Sequence, residues 1–207
     1  MDLIGSVIIR IMKKRILIGA IIIVSVGLAI AIGIYFKRTD TPLSPLGSSE
    51  QMPEEKTLVK DDFSILSPQG WEEASAPAGV SLMMIKPGEK MTDPAAEKLN
   101  FKSYFSVSHD SPQSKTKEEY LQDVRNGLKQ AFPDIVYDKD ESITLGAGEA
   151  QAMEFAITQQ GVDFKVLLNL VWGKNNDAWV ISFNTTKDKW NEYKNLFYRI
   201  TDSFRIK

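Results

Sequence analysis

The sequence predicts an α+β domain in which one antiparallel sheet carries helices on both faces. This α/β/α sandwich is preceded by one transmembrane helix. Three features indicate this. Residues 16–36 contain no charged side chain. Several later segments alternate like strands, and some are apolar on both faces of the pleat, as in a sheet covered on both sides. Two segments, 116–132 and 187–204, have an apolar stripe at helical spacing.

The composition excludes several functional classes. The chain has 207 residues, 25 Lys+Arg, 27 Asp+Glu, a formal charge of −2, one His and no Cys. Without Cys there is no disulfide, no thiol nucleophile and no Cys-ligated metal. A single His excludes a multi-His zinc site. The near-neutral charge gives no support for nucleic-acid binding, so we expect no nucleic-acid partner.

Residues 16–36 predict a transmembrane signal anchor. Of these 21 residues, 17 are apolar, and the helix would be about 31 Å long, close to the ~30 Å hydrocarbon core of a bilayer. Four basic residues at 10–15 precede the segment and two follow at 37–38. The positive-inside rule therefore places residues 1–15 in the cytoplasm and the C-terminal domain outside, in a single-pass plasma-membrane protein.

Three hypotheses concern the anchor itself. The apolar run continues past Ala31, which favours an uncleaved anchor over signal-peptidase cleavage after that residue. Met12 precedes a basic cluster, so translation starting there is a second hypothesis. The small residues Ser25, Ala29 and Gly33 lie four apart on one helix face, a spacing that lets two membrane helices approach and self-associate.

Residues 37–57 predict a flexible linker, and residues 58–207 predict one extracytoplasmic domain. The linker is rich in Pro, Ser, Thr and Glu, which is typical of a disordered, partly extended tether. Its coil dimension is roughly 25 Å. The domain would therefore stay near the membrane, and we expect its partner to be a protein complex of the same membrane.

The domain divides into strands, turns and two helices in the order ββ(β)–α–ββββ–α. Strands are predicted at 63–66, 80–86, 101–109, 135–145, 151–158, 162–172 and 179–184. Turns are predicted at Gly146-Ala147-Gly148, at Gln160-Gly161 and at 173–177. In the third strand, we expect Phe101, Phe105 and Val107 on one face.

The two helices carry clear local signals. Thr116 and Glu119 form a capping box at the start of the first helix, and Pro133 ends it. The second helix has apolar side chains at spacings of 3, 4, 3 and 4. These are Trp190, Tyr193, Phe197, Ile200 and Phe204.

Short motifs stand at both ends of the domain. It opens with Phe63-x-Ile65-x-x-Pro68-x-Gly70-Trp71, has Gly146 before the strand at 149–158, and closes with a helix ending Ile200-x-x-Ser203-Phe204. With these motifs, residues 58–207 resemble the PsbP-like family, which has the Mog1/PsbP α/β/α-sandwich fold. The chain resembles a membrane-anchored bacterial-type member.

The resemblance implies a non-catalytic role. Plant and algal PsbP is an extrinsic lumenal subunit of photosystem II that helps to retain calcium and chloride, and bacterial relatives are often membrane-attached. This chain has a signal anchor instead of a transit peptide and lacks the lipid-bearing Cys of lipoprotein relatives, which disfavours a photosystem role. No cofactor is expected beyond calcium, which the family analogy alone suggests, and no metal-binding residue is transferred.

No catalytic, cofactor-binding or metal-binding residue is assigned from the sequence. His109 stands beside Asp110 at a strand end without a nearby nucleophile motif. The acidic residues around 138–141 lack the loop glycine and ligand spacing of a calcium loop. Gly146-Ala147-Gly148 lacks the following helix of a dinucleotide site. We therefore expect no enzyme activity.

The four tryptophans give one candidate binding residue. Trp71 follows a glycine in a loop and is the candidate for partner contact, because Trp is enriched at binding hot spots. Trp172 and Trp179 flank a turn and predict a cross-strand aromatic cluster. Trp190 belongs to the buried stripe of the last helix.

Three functional hypotheses remain. The favoured one is a membrane-anchored, extracytoplasmic, non-catalytic module that binds or scaffolds a membrane protein complex. The second is a domain that binds a small ligand in a pocket between sheet and helix. The third is an extracytoplasmic enzyme with an acid–base pair in a cleft.

Overall fold

The computed structural model describes residues 55–112 and 114–207. The predicted transmembrane helix at 16–36, the segment before it and most of the predicted linker lie outside these residues. In the part of the chain that is described, no helix is long and apolar enough to cross a membrane.

Ten strands in the described residues form two antiparallel sheets. In chain order they are β1 Lys56–Val59, β2 Phe63–Ser67, β3 Glu72–Glu73, β4 Val80–Ile85, β5 Tyr104–Asp110, β6 Val136–Leu145, β7 Gly148–Gln159, β8 Val162–Trp172, β9 Ala178–Thr186 and β10 Arg205–Ile206. The larger sheet has the order β3-β4-β5-β9-β8-β7-β6, and the smaller has the order β1-β2-β10. The predicted meander in the second half of the domain is confirmed as β6 to β9.

Helices cover both faces of the larger sheet. They are α1 Pro94–Lys98, α2 Lys117–Ala131 and α3 Trp190–Ser203, and short 3-10 turns occupy Lys174–Asn176 and Lys187–Lys189. α1 and α2 pack on one face. α3 and the smaller sheet pack on the other. The α/β/α sandwich predicted from the sequence is therefore confirmed.

The predicted signals of α2 are present in the structure. The backbone N–H of Glu119 donates to Thr116 Oγ1 at 3.2 Å, and the N–H of Thr116 donates to Glu119 Oε2 at 2.8 Å. This capping box satisfies two donors that the first turn of a helix otherwise leaves unpaired. The helix ends before Pro133, which cannot continue it.

The stripe of α3 forms the centre of its layer. Phe197 is fully buried, with its ring centroid 4.8 Å from that of Phe183 on β9 and 5.6 Å from that of Tyr193. Burying each large apolar side chain of this kind stabilises the fold by about 1.5–3 kcal/mol. The five apolar residues predicted for this stripe all belong to this core.

Two predictions about the sheet were wrong. β2 does not join the larger sheet. It pairs in the smaller sheet with β1 and β10, which come from the two ends of the domain. Phe101 does not share a face with Phe105 and Val107. β5 begins only at Tyr104, so Phe101 precedes the strand and packs in the α2 layer, while the other two pack in the α3 layer.

The predicted aromatic cluster of Trp172 and Trp179 is also absent from the described residues. The β8–β9 register pairs Trp172 with Ala178 and Trp179 with Val171. Side chains of neighbouring positions point to opposite faces of a sheet, so the two rings lie in different layers.

Two elements differ from the expected boundaries. β1 begins at Lys56, inside the stretch assigned to the linker, and forms an edge of the smaller sheet. α1 was not predicted. It has only five residues, and Asp93 Oδ1 caps it by accepting the N–H groups of Ala95 and Ala96.

Candidate functional site

A cleft opens at the end of the sheet where α2 ends and β6 begins. It has a volume of about 310 Å³, which is at the small end of the range for small-molecule sites. We call it the edge cleft. Its lining residues come from the α2–β6 connection, the end of β7, the start of β8 and the residue after β9. These are Ala131, Phe132, Pro133, Asp134, Ile135, Val136, Ala156, Ile157, Thr158, Asp163 and Lys187.

The edge cleft exists because β6 is shorter than β7 at this end. The β6–β7 ladder stops at the pair Val136 and Ala156, whereas the β7–β8 ladder continues to Gln159 and Val162. Before β6, the N–H of Ile135 donates to the carbonyl of Phe132 at 3.0 Å. This turn draws the chain away from β7 and leaves the last residues of that strand uncovered on one side.

The β7–β8 turn determines which backbone groups are uncovered. Gln160 and Gly161 have φ values of 50° and 79°, as expected for a two-residue type I′ hairpin. The residues that flank such a turn form a hydrogen-bonded pair, and alternate residues face the other side. Ile157 and Gln159 therefore bond to β8, while the N–H and C=O of Thr158 point toward the free edge and the cleft.

Apolar side chains form one wall of the edge cleft. Phe132 and Ile135 are half-buried against the α2 layer, whereas Val136 faces the other side of the sheet and is 64% exposed. Val136 is one of two large apolar side chains that are strongly exposed among the described residues; the other is Val59, on β1.

Three charged side chains line the edge cleft. Asp163 lies opposite Thr158 on β8 and accepts a hydrogen bond from its Oγ1 at 2.6 Å. Asp134 lies in the connection on the other side of the cleft, and Lys187 follows β9. Within the described part of the chain, none of the three forms a salt bridge.

Trp71, the candidate for partner contact, is part of the core. It is only 4% exposed, and its ring packs against those of Phe105, Tyr193 and Phe197. The ring covers one end of the α3 layer and offers no surface to a partner. The small residues of the predicted membrane helix, Ser25, Ala29 and Gly33, lie outside the described residues.

His109 and Asp110 do not form a pair. They are consecutive on β5 and point to opposite faces of the sheet. His109 Nε2 lies 3.7 Å from Asp177 Oδ2, and its ring packs on Trp179 at 4.7 Å. Asp110 accepts a hydrogen bond from the Tyr120 hydroxyl at 2.8 Å, and burial together with this carboxylate raises the pKa of Tyr120.

The acidic residues of β6 neutralise neighbouring basic residues. Asp140 accepts two hydrogen bonds from the Arg125 guanidinium, which lowers the pKa of Asp140. Asp138 pairs with Lys165, and Glu141 pairs with a neighbouring lysine. Among the described residues, no group of three His, Asp or Glu side chains could hold a metal ion. The predicted turn at Gly146-Ala147-Gly148 is present between β6 and β7.

Two buried carboxylates escaped the sequence analysis. Glu89 is 7% exposed and accepts the N–H of Ser103 at 2.6 Å and its hydroxyl at 3.0 Å. Burial, and then a hydrogen bond to Glu89, raises the pKa of Tyr193. Glu154 is 4% exposed and accepts the Tyr198 hydroxyl at 2.5 Å. Both carboxylates therefore join elements of the fold together.

Known structures share this fold. The solution structure of cyanobacterial PsbP (CyanoP) from Synechocystis sp. PCC 6803 matches with a TM-score of 0.53 at 16% identity, over 81% of this chain and 100% of that chain. LpqN of Mycobacterium tuberculosis, described as involved in cell envelope biogenesis, matches with a TM-score of 0.53 at 14% identity, over 74% and 90% of the two chains. The Saccharomyces cerevisiae Ran-binding protein Mog1p matches with a TM-score of 0.50 at 14% identity, over 75% and 96%.

These matches show a PsbP/Mog1-like fold, as the sequence motifs predicted. No protein-family model and no curated protein matches the chain. At 14–16% identity, the likeness to these structures shows the fold of the domain.

Sequence analysis did not find the edge cleft. Its residues belong to the end of a helix, three strand ends and one turn, and no spacing in the sequence joins them. The turn signal at Gln160-Gly161 was visible, but the unequal ends of β6 and β7 depend on the register of the folded sheet.

Proposed function

We propose that the chain is a single-pass membrane protein with an extracytoplasmic PsbP-like domain that binds a membrane protein complex without catalysing a reaction. The observation that carries this proposal is the charge-free segment at 16–36, which precedes a folded domain. Its length matches a bilayer, and the basic residues before it favour a cytoplasmic N-terminus.

The roles of the ionisable groups support a binding function. The one histidine packs on Trp179, and the buried carboxylates Glu89 and Glu154 accept structural hydrogen bonds. Catalytic acids and bases typically stand in a cleft with a partner of perturbed pKa. The side chains that line the edge cleft instead combine an apolar wall with exposed charges, as a binding surface does.

The names of the structural neighbours are consistent with this proposal. Mog1p is a Ran-binding protein, and LpqN is described as involved in cell envelope biogenesis. The fold therefore occurs in one protein named for binding and in one involved in cell envelope biogenesis. The transfer to this chain is our proposal, because fold alone does not establish function.

Cysteine labelling tests the membrane topology. The natural chain has no Cys, so a single introduced thiol is the only labelling site. Lys90→Cys places it in the exposed connection between β4 and α1. A membrane-impermeant maleimide added to intact cells should label this variant as fully as in permeabilised cells.

A matched control keeps the labelling result interpretable. Ala96→Cys lies in the adjacent helix α1 and is fully buried, so it should react only after denaturation. Labelling of Lys90→Cys only after permeabilisation would contradict an extracytoplasmic domain. Recovery of the protein in the soluble fraction would contradict the anchor.

A further inference from the structure

We propose that the edge cleft binds an extended peptide segment of the partner, which adds a short strand beside β7 and carries a basic side chain flanked by apolar ones. The inference rests on the proposed function, because it names the surface and the chemistry through which the domain would bind. Three independent features of the cleft carry it.

The first feature is the uncovered backbone of Thr158. Its N–H and C=O face the cleft, and no backbone hydrogen bond joins them to another described residue. An added strand pairs with such an edge through main-chain hydrogen bonds, which supply affinity without a specific sequence. The rest of that edge is already covered by β6, so the added strand must be short.

The second feature is the apolar wall beside this edge. Phe132 and Ile135 line the cleft next to the uncovered residue and pack against the α2 layer, whereas Val136 pairs with Ala156 and faces the other side of the sheet. In a strand, alternate side chains point to the same face. An apolar residue next to the residue that pairs with Thr158 would therefore lie against this wall.

The third feature is the charge around the free edge. Asp134 and Asp163 stand on either side of Thr158, and neither has a salt-bridge partner among the described residues. Lys187, the one cation of the cleft, follows β9 and is separated from the free edge by β8. A basic side chain on the added strand would lie between the two carboxylates, whereas an acidic one would be repelled.

Peptide binding to the full-length protein in detergent micelles tests the inference. The probes are fluorescein-labelled Thr-Val-Lys-Val-Thr and the same peptide with Glu or Pro in place of Lys, with blocked ends. We expect the Lys peptide to bind about fivefold more tightly than the Glu peptide, the size of one exposed ion pair. The Pro peptide should not bind, because proline removes a ladder hydrogen bond.

Charge-neutral variants locate the site. The double variant Asp134→Asn, Asp163→Asn keeps the shape of both side chains and should abolish the preference for Lys over Glu. Asp202→Asn removes one carboxylate charge near the end of α3, beside the β6–β7 turn at the opposite end of the sheet, and should leave the preference unchanged. Bound peptide should also slow amide hydrogen exchange at Thr158.

The outcomes separate this inference from the proposed function. Equal binding of the Lys and Glu peptides, or a preference that survives the double variant, would overturn the peptide site. Co-purification of a small molecule that occupies the cleft and slows amide hydrogen exchange at Thr158 would also overturn the peptide site. Labelling of Lys90→Cys only after permeabilisation would overturn the proposed function. Peptide binding to the purified protein does not depend on its membrane topology.

Discussion

Replacing Trp71 with alanine should remove a large part of the stability of the domain. The side chain is 4% exposed. Its ring centroid lies 5.8 Å from that of Phe105, 5.9 Å from that of Tyr193 and 6.2 Å from that of Phe197. The ring therefore joins the loop after β2 to the main sheet and to α3, and alanine would leave a cavity between these elements.

The expected loss of unfolding free energy follows from the size of the side chain that is removed. Truncation of a buried Trp or Phe to Ala costs about 3–5 kcal/mol, and a typical domain has about 5–15 kcal/mol of unfolding free energy. Trp71→Ala should therefore remove about a fifth of the stability or more. Trp71→Phe should lose less, because it keeps one aromatic ring in the cluster.

Urea unfolding of the purified full-length protein, followed by far-ultraviolet circular dichroism, measures this loss without relying on tryptophan fluorescence. The control is Val59→Ala, because Val59 is 65% exposed and its truncation should cost about 0.5 kcal/mol or less. A Trp71→Ala variant that unfolds like this control would refute the core assignment. Trp71 would then again be a candidate for partner contact.

Three further predictions concern local interactions and use the same unfolding assay. Gly161→Ala should cost about 1–2 kcal/mol, because Gly161 has φ 79° with open space around it; an unchanged midpoint would exclude the type I′ turn. Thr116→Ala should cost about 1 kcal/mol by removing the capping box, and a loss no larger than that of Val59→Ala would argue against the cap. Arg125→Gln should flatten the pH dependence of stability in acid. Arg125 lowers the pKa of Asp140 below its ordinary 3.8, so the stability from this pair is present above that value and lost as pH falls through the lower, folded pKa. The same loss of unfolding free energy in acid in both proteins would contradict this assignment.

Local features of the fold could be predicted from the sequence. The capping box of Thr116 and the turn at Gln160-Gly161 each depend on residues within a few positions of one another. The stripe of α3 depends only on helical spacing. Each of these patterns specifies one local conformation, and the structure contains all three.

Features that depend on distant partners could not be predicted. β2 has the pattern of a main-sheet strand, but it pairs with β1 and β10. Trp71 follows a turn glycine, which suggests exposure, yet it is covered by α3 from more than a hundred residues later in the chain. Neither arrangement has a signal in the neighbouring sequence.

The candidate site belongs to this second group. The edge cleft depends on where the ladder of β6 and β7 ends, and on the loop that leaves it at Ile135. Its charged residues, Asp134, Asp163 and Lys187, are far apart in the sequence and are typical of solvated loops when read alone. Only the register of three strands brings them to one opening.

In-cell cross-linking of the full-length protein tests the proposed binding role most directly. The protein would be purified from detergent-solubilised membranes, and cross-linked peptides would be identified by mass spectrometry. We expect a reproducible membrane-protein partner, joined through side chains of the PsbP-like domain. The peptide site predicts cross-links at lysines in or near the edge cleft, such as Lys187. Recovery of the protein alone, or cross-linked only to copies of itself, would contradict a module that binds a membrane protein complex.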